Sequence, residues 1–127
     1  MYHHYKDRAE FLVVYILEAH AIDNFPIADN VKDKISVKLP KDFEQRCEVA
    51  ETCTVKLSLE MPSVIDNMEN TTEEAYTAWP DRLYVIDQDG RIGYKGKPGS
   101  YGFRPAAMAE YLKRILPDSP TRAENNK

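Results

Sequence analysis

The stretch Phe11-Leu12-Val13-Val14-Tyr15-Ile16-Leu17, with Glu18-Ala19-His20 directly after it, decides how this chain is read. Its residues are apolar, many of them β-branched or aromatic, and they do not alternate with polar ones. That pattern suits a short strand covered on both faces at the centre of a sheet. The run is far shorter than the roughly 20 residues a membrane-crossing helix needs. On its N-terminal side, residues 1–8 (MYHHYKDR) are polar and enter the run without a turn residue, as the tail of a helix would. On its C-terminal side, residues 18–40 are polar and carry Asn24, Pro26, Asn30 and Pro40. They read as a long irregular connection, of the kind that tends to hold functional groups.

Further on, Phe43, Cys47, Ala50, Thr54 and Leu57 recur at spacings of four, three, four and three, so a helix from Lys41 to Leu57 buried along that face is expected. Asp42, with Gln45 three residues later, forms a capping-box pattern at its start. Pro62 to Asp66 reads as a strand and Asn70 to Ala78 as a helix capped by Asn70, Thr71 or Thr72. Arg82 to Asp87 and Arg91 to Lys95 read as a hairpin joined through Gln88-Asp89-Gly90, because Asp-Gly fits the tight turns that hairpins favour. After a glycine-rich loop, Gly96 to Gly102, Pro105 suits the first turn of a last helix carrying Met108, Tyr111, Leu112 and Ile115. The expectation is therefore an α/β domain over residues 1–116, a sheet with helices on both faces that ends in an antiparallel pair, followed by a disordered tail at 117–127.

The 127 residues are the size of one domain, and 43% of them are hydrophobic, enough for a single core. A net charge of −4 with both signs mixed along the chain leaves no basic stripe for phosphates or anionic lipid, so nucleic acid and membrane are not expected as partners of this segment. Two cysteines, Cys47 and Cys53, are too few for a secreted disulfide scaffold and lack the clustered partners of a zinc site. A reducing, cytoplasmic setting follows as the expected one. Six residues apart on one helix, the two cysteines lie roughly 9 Å apart along its axis and about 240° apart around it, so they cannot bridge while it stands.

Four stretches resemble the iodothyronine deiodinase family, in the family's order, across residues 6–116. They are Phe11 to Ile16 with Glu18-Ala19-His20 and Asp23; Val64-Ile65-Asp66-Asn67-Met68-Glu69-Asn70 running on to Ala75-Tyr76; Trp79-Pro80-Asp81-Arg82-Leu83-Tyr84-Val85-Ile86; and Gly90-Arg91-Ile92 with Tyr94-Lys95-Gly96-Lys97-Pro98-Gly99. The resemblance implies a thioredoxin-like fold, a central mixed sheet with helices on both faces, here lacking the first strand and most of the first helix. It implies an oxidoreductase in which a thiolate or selenolate attacks a halogen or an oxidised substrate, an external thiol regenerates it and no bound cofactor is needed. The expected small-molecule partners are a halogenated phenol or a peroxide, together with a thiol reductant.

The family's nucleophile stands at the end of the first strand, and no such motif occurs in this sequence. By the same resemblance Glu18 and His20 lie beside that nucleophile, the His to transfer a proton and the Glu to fix its tautomer or join a relay. Read without the resemblance, His20 is better taken as a loop histidine bonded to backbone. Cys53 borders the helix stripe and is a candidate resolving thiol; Cys47 falls on the stripe as a small buried hydrophobe. Pro80 stands where thioredoxin folds often hold a cis-proline, though a trans turn fits as well. Asn70-Thr71-Thr72 is a glycosylation sequon that a helix cap also explains, and His3 and His4 fit a solvated helix tail better than a metal site. Ile22, Asn24, Phe25 and Pro40 depart from residues that hormone-acting deiodinases carry, which weakens the inference to thyroid hormone itself and admits a peroxiredoxin-like thiol peroxidase or reductase as alternative. A non-catalytic binding module is the second alternative. Omission of the first strand would also bare the edge of an apolar strand, so a homodimer paired through it is a further expectation.

If the nucleophile is selenocysteine, its UGA codon reads as a stop, and an internal methionine such as Met1 becomes the apparent beginning. Upstream DNA is then expected to hold an in-frame UGA within strand-like coding sequence; a conventional stop just before Met1 with no such coding behind it refutes the idea.

Overall fold

A computed structural model describes residues 1–18, 39–56 and 58–119. Its elements are α1 (Tyr2–Tyr5), β1 (Val13–Tyr15), α2 (Phe43–Lys56), β2 (Ser63–Ile65), α3 (Thr71–Tyr76), β3 (Tyr84–Ile86), β4 (Ile92–Lys95) and α4 (Pro105–Ile115). Their order and type follow the sequence pattern throughout. The long connection after Glu18 and the end of the tail fall outside the described residues, and His20 with them.

β1 and β2 form a parallel pair in which Val13, Val14 and Tyr15 face Ser63, Val64 and Ile65. The ladder runs on at both ends, with Val13 N–H donating to the Pro62 carbonyl and Asp66 N–H to the Tyr15 carbonyl. β3 and β4 form an antiparallel hairpin of their own. The single mixed sheet expected from the sequence is thus, among the described residues, two separate pairs within a mixed α/β arrangement. Strand length is the physical reason: β1 has three ladder residues where seven apolar residues were read as strand. Leu12 is 59% exposed, and Val13 to Leu17 are half-buried, so the run is not covered on both faces. β1 has β2 on one side and, among the described residues, no strand on the other.

α2 begins as its capping box dictates. Asp42 Oδ1 accepts from Gln45 N–H at 2.8 Å, while Gln45 Oε1 reaches back to Lys41 N–H at 2.8 Å. Its buried face keeps part of the expected stripe, with Ala50 buried and Cys47 and Thr54 half-buried, but is shifted at its head. Arg46 and Ala50 are buried and Cys53 half-buried, spaced four and three, whereas Phe43 is 48% exposed. The helix turns toward β2 a face with an arginine at its head, because the carbonyls and the carboxylate at the strand ends need a donor that phenylalanine cannot supply.

α3 starts at Thr71, and none of the expected caps Asn70, Thr71 and Thr72 supplies the side-chain acceptor. Asn70 occupies the cap position in the left-handed region, and the orphan N–H groups are instead met from further back, by Asp66 and Asn67. The Trp79–Pro80 peptide bond is cis. Pro105 stands in the first turn of α4, as read.

The hairpin turn places Gly90 at φ +83°, a conformation that costs glycine nothing. Gly93 is the extra residue of a bulge, since Val85 pairs with Tyr94 and Ile86 with Ile92. Across it the Tyr111 hydroxyl of α4 donates to both Asp87 carboxylate oxygens at 2.8 Å. A Cβ at position 93 would collide with that hydroxyl and that carboxylate. At the far end of α4, Arg8 donates to the carbonyls of Leu116 and Pro117 and, with His4, meets Asp118, which ties α1 to the chain after α4. Gly93→Ala should lower stability by about 1–3 kcal/mol in thermal or denaturant unfolding, the usual cost of overpacking. The companion change Tyr111→Phe should restore part of it by vacating the space.

Candidate functional site

The carboxyl ends of β1 and β2 lie side by side, joined by the Asp66-to-Tyr15 backbone bond, and this is where ligands bind in open parallel sheets. Glu18 leaves the end of β1 and Asp66 the end of β2, and both are buried. Arg46, at the start of α2, reaches over both strand ends.

Arg46 is 1% exposed. Its Nη1 donates to the carbonyls of Asp66 and Asn67, and its Nη2 to Asn70 Oδ1 at 3.2 Å. Its Nε stands 3.7 Å from Glu18 Oε1, an ion pair too long for a hydrogen bond. Glu18 is 7% exposed, and among the described residues neither carboxylate oxygen has a hydrogen-bond partner of ordinary geometry. A carboxylate in that position is costly unless a countercharge is at hand, and Arg46 is that countercharge.

Tyr15 and Cys53 complete the cluster. Burial first, then the nearby charges of Glu18 and Cys53 and a side-chain interaction with the Glu18 carboxylate, push the Tyr15 hydroxyl above its ordinary value, against the opposing pull of Arg46. Burial also pushes the Cys53 thiol up, Tyr15 as a donor to the sulfur offsets part of this, and the Glu18 charge adds to it. At neutral pH both groups carry their protons. Both are protonated groups set beside a carboxylate, and a thiol held protonated is a poor attacking nucleophile.

Of the residues singled out in the sequence, Glu18 and Cys53 come together at this site, and His20 lies outside the described residues. Cys47 is half-buried, one position from Arg46 on α2, and both cysteines are free. Sequence reasoning missed Arg46 and Tyr15. The signal for Arg46 was the second reading of α2, where positions 46, 50 and 53 share a face as well as 43, 47, 50 and 54 do. Among the described residues no cluster of His, Cys, Asp and Glu could hold a metal ion, and no helix is long and apolar enough to cross a membrane.

Asp66 builds the floor of the site. Its Oδ1 accepts from Asn67 and Thr72 N–H at 3.0 Å and its Oδ2 from Glu73 N–H at 2.9 Å. Burial opposes its charge, yet the N–H groups of Glu73, Thr72 and Asn67 together outweigh burial and hold its carboxyl below the ordinary value. Asn67 Oδ1 accepts from Thr71 N–H, so two adjacent side chains cap one short helix.

A model described as iodothyronine deiodinase matches residues 1–116. Type I iodothyronine deiodinase of Xenopus laevis is 35% identical over 106 residues, 84% of this chain and 40% of that protein. Thyroxine 5-deiodinase of Sparus aurata is 36% identical over 114 residues, 87% of this chain and 39% of its own length. The same enzyme of Sus scrofa is 33% identical over 110 residues, covering 87% and 34%. The chain thus spans well under half the length of these relatives. The matches all fall in one family and lend no support to the peroxidase alternative.

Because the folded-state value of Asp66 is lowered, its stabilising contribution is complete above the unfolded value near 3.9 and is lost as pH falls through the folded one. Asp66→Asn should cost about 1–2 kcal/mol at neutral pH, and its unfolding midpoint should fall less between pH 5 and pH 2 than that of the unaltered chain.

Proposed function

The chain belongs to the iodothyronine deiodinase family, and from that premise we propose that it forms the proton-handling part of a thiol- or selenol-dependent reductive dehalogenation site. What supports this reading above all is Glu18: a buried carboxylate at the strand ends, with no hydrogen bond of ordinary geometry on either oxygen among the described residues and two protonated groups beside it. The attacking Cys or selenocysteine would come from protein preceding this segment, in a thioredoxin-like fold whose first strand lies along the open side of β1. Residues 1–127 alone, without that strand, would pair with a second copy through the same edge; a reducing cytoplasmic setting belongs to the same proposal.

In the reaction the thiolate or selenolate takes the halogen from an aromatic carbon, and that carbon takes a proton. A first external thiol displaces halide and leaves a mixed disulfide or selenenyl sulfide; a second releases the enzyme. One aryl halide and two thiols give one arene, one disulfide and one hydrogen halide. Glu18 and Tyr15, with His20, would hold and move the proton; Cys53, with its thiol pushed up, is a poor first nucleophile, and as resolving thiol it would take the place of the first external thiol, displacing halide to close an internal disulfide or selenenyl sulfide that two external thiols then reduce. An iodinated phenol is the substrate class that the family suggests.

The test is halide release from an iodinated phenol with dithiothreitol. The longer protein with its nucleophile should turn over, residues 1–127 alone should not, and Glu18→Gln in the longer protein should lower kcat by about 100-fold, as for loss of a general acid or base. Inactivity of the longer protein, or turnover by residues 1–127 that Cys53→Ser abolishes, would overturn the proposal.

A further inference from the structure

We propose that Arg46 is the positioning residue of the Glu18 carboxylate, fixing it at the carboxyl ends of β1 and β2 by charge without taking up its oxygens in a hydrogen bond to the guanidinium. This rests on the reading of Glu18 as the proton-handling group.

A guanidinium is a rigid planar fork with N–H donors on three sides. In Arg46 two of those sides are fixed on one loop, by the carbonyls of Asp66 and Asn67 and by Asn70 Oδ1. That loop is itself held, because Asp66 caps α3 and Asn67 accepts from Thr71. The remaining edge, Nε, is thereby aimed at Glu18 Oε1, and among the described residues it has no hydrogen-bond partner. At 3.7 Å the two groups attract as charges without a hydrogen bond that would occupy the oxygen. Bidentate pairing would anchor Glu18 more firmly but would take up the lone pairs that proton exchange needs. Lysine could supply the charge but not the fork, so it could not grip the loop and face the carboxylate at once. Among the described residues Tyr15 and Cys53 are the other titratable groups facing Glu18, and each reads the carboxylate's presence through its field.

A purely structural arginine would act on the loop alone, whereas a positioning one must be felt at Cys53 through Glu18. The experiment compares Arg46→Met, Glu18→Gln, the double variant and Asn70→Ala, which removes a loop contact and spares the Glu18 pair. The readouts are the pH profile of Cys53 alkylation by iodoacetamide, resolved from Cys47 by mass spectrometry, and thermal unfolding. Glu18→Gln should move the Cys53 profile down by about half a unit, roughly threefold in thiolate fraction. Arg46→Met should move it in the same direction, since a buried carboxylate without its countercharge turns away or takes up a proton. The double variant should match Glu18→Gln with no further shift, and Asn70→Ala should lower the midpoint temperature while leaving the profile in place. An unmoved profile in Arg46→Met, additive shifts in the double variant, or an equal shift in Asn70→Ala each overturn the proposal. Should Arg46→Met fail to fold, recovery of folded protein in the double variant supports the coupling, and a double variant as unfolded as the single one overturns it. None of these readouts needs turnover, so failure of the dehalogenation reading and failure of this one are separate results.

Discussion

A carboxylate placed in a protein interior without donors of its own must be balanced by a charge close by, and the site end of this chain is organised by that requirement. Glu18 follows a strand whose side chains are apolar, and the nearest compensating group comes from a helix some thirty residues further along. To reach it, α2 turns Arg46 and Ala50 inward and leaves Phe43 in solvent. The orientation of that helix against β2 is thus set by one ion pair and three hydrogen bonds as much as by apolar burial.

The rest of the site end follows the same logic of satisfying polar groups. Among the described residues the buried side chains comprise three apolar ones, Tyr5, Ala50 and Leu112, and three polar ones, Glu18, Arg46 and Asp66. Asp66 meets the N-terminal N–H groups of α3, which would otherwise be orphaned next to the sheet, and by fixing α3 it fixes the loop that grips Arg46. Glu18, Arg46 and Asp66 therefore form one chain of dependence from β1 through α2 to α3. At the other end, the hairpin and α4 are joined by a similar polar lock, Tyr111 on Asp87, for which Gly93 makes room.

This arrangement also explains how Cys53 can lie within the cluster and still be ill-suited to the first attack. Burial and the Glu18 charge both favour its protonated form, and the Tyr15 hydroxyl recovers only part of the difference. The same field keeps protons on Tyr15 and Cys53, beside a strand that among the described residues has no neighbour on its other side.

What the sequence determined by itself was everything set by neighbours along the chain. Asp42 and Gln45 start α2, Asp89-Gly90 turns the hairpin, Pro105 opens α4, and the apolar run at 11–17 yields a strand with Glu18 at its exit. Periodicity, capping and turn chemistry are local, so they are legible in order. Only the tertiary structure decided which face of α2 is buried, that Asp66 and not Asn70 caps α3, that Gly93 must be glycine, and that Tyr15, Glu18, Arg46 and Cys53 meet. Each of those depends on a partner distant in sequence: an arginine reads as a solvated residue until a carboxylate and two carbonyls, brought from elsewhere by strand pairing, give its donors somewhere to go.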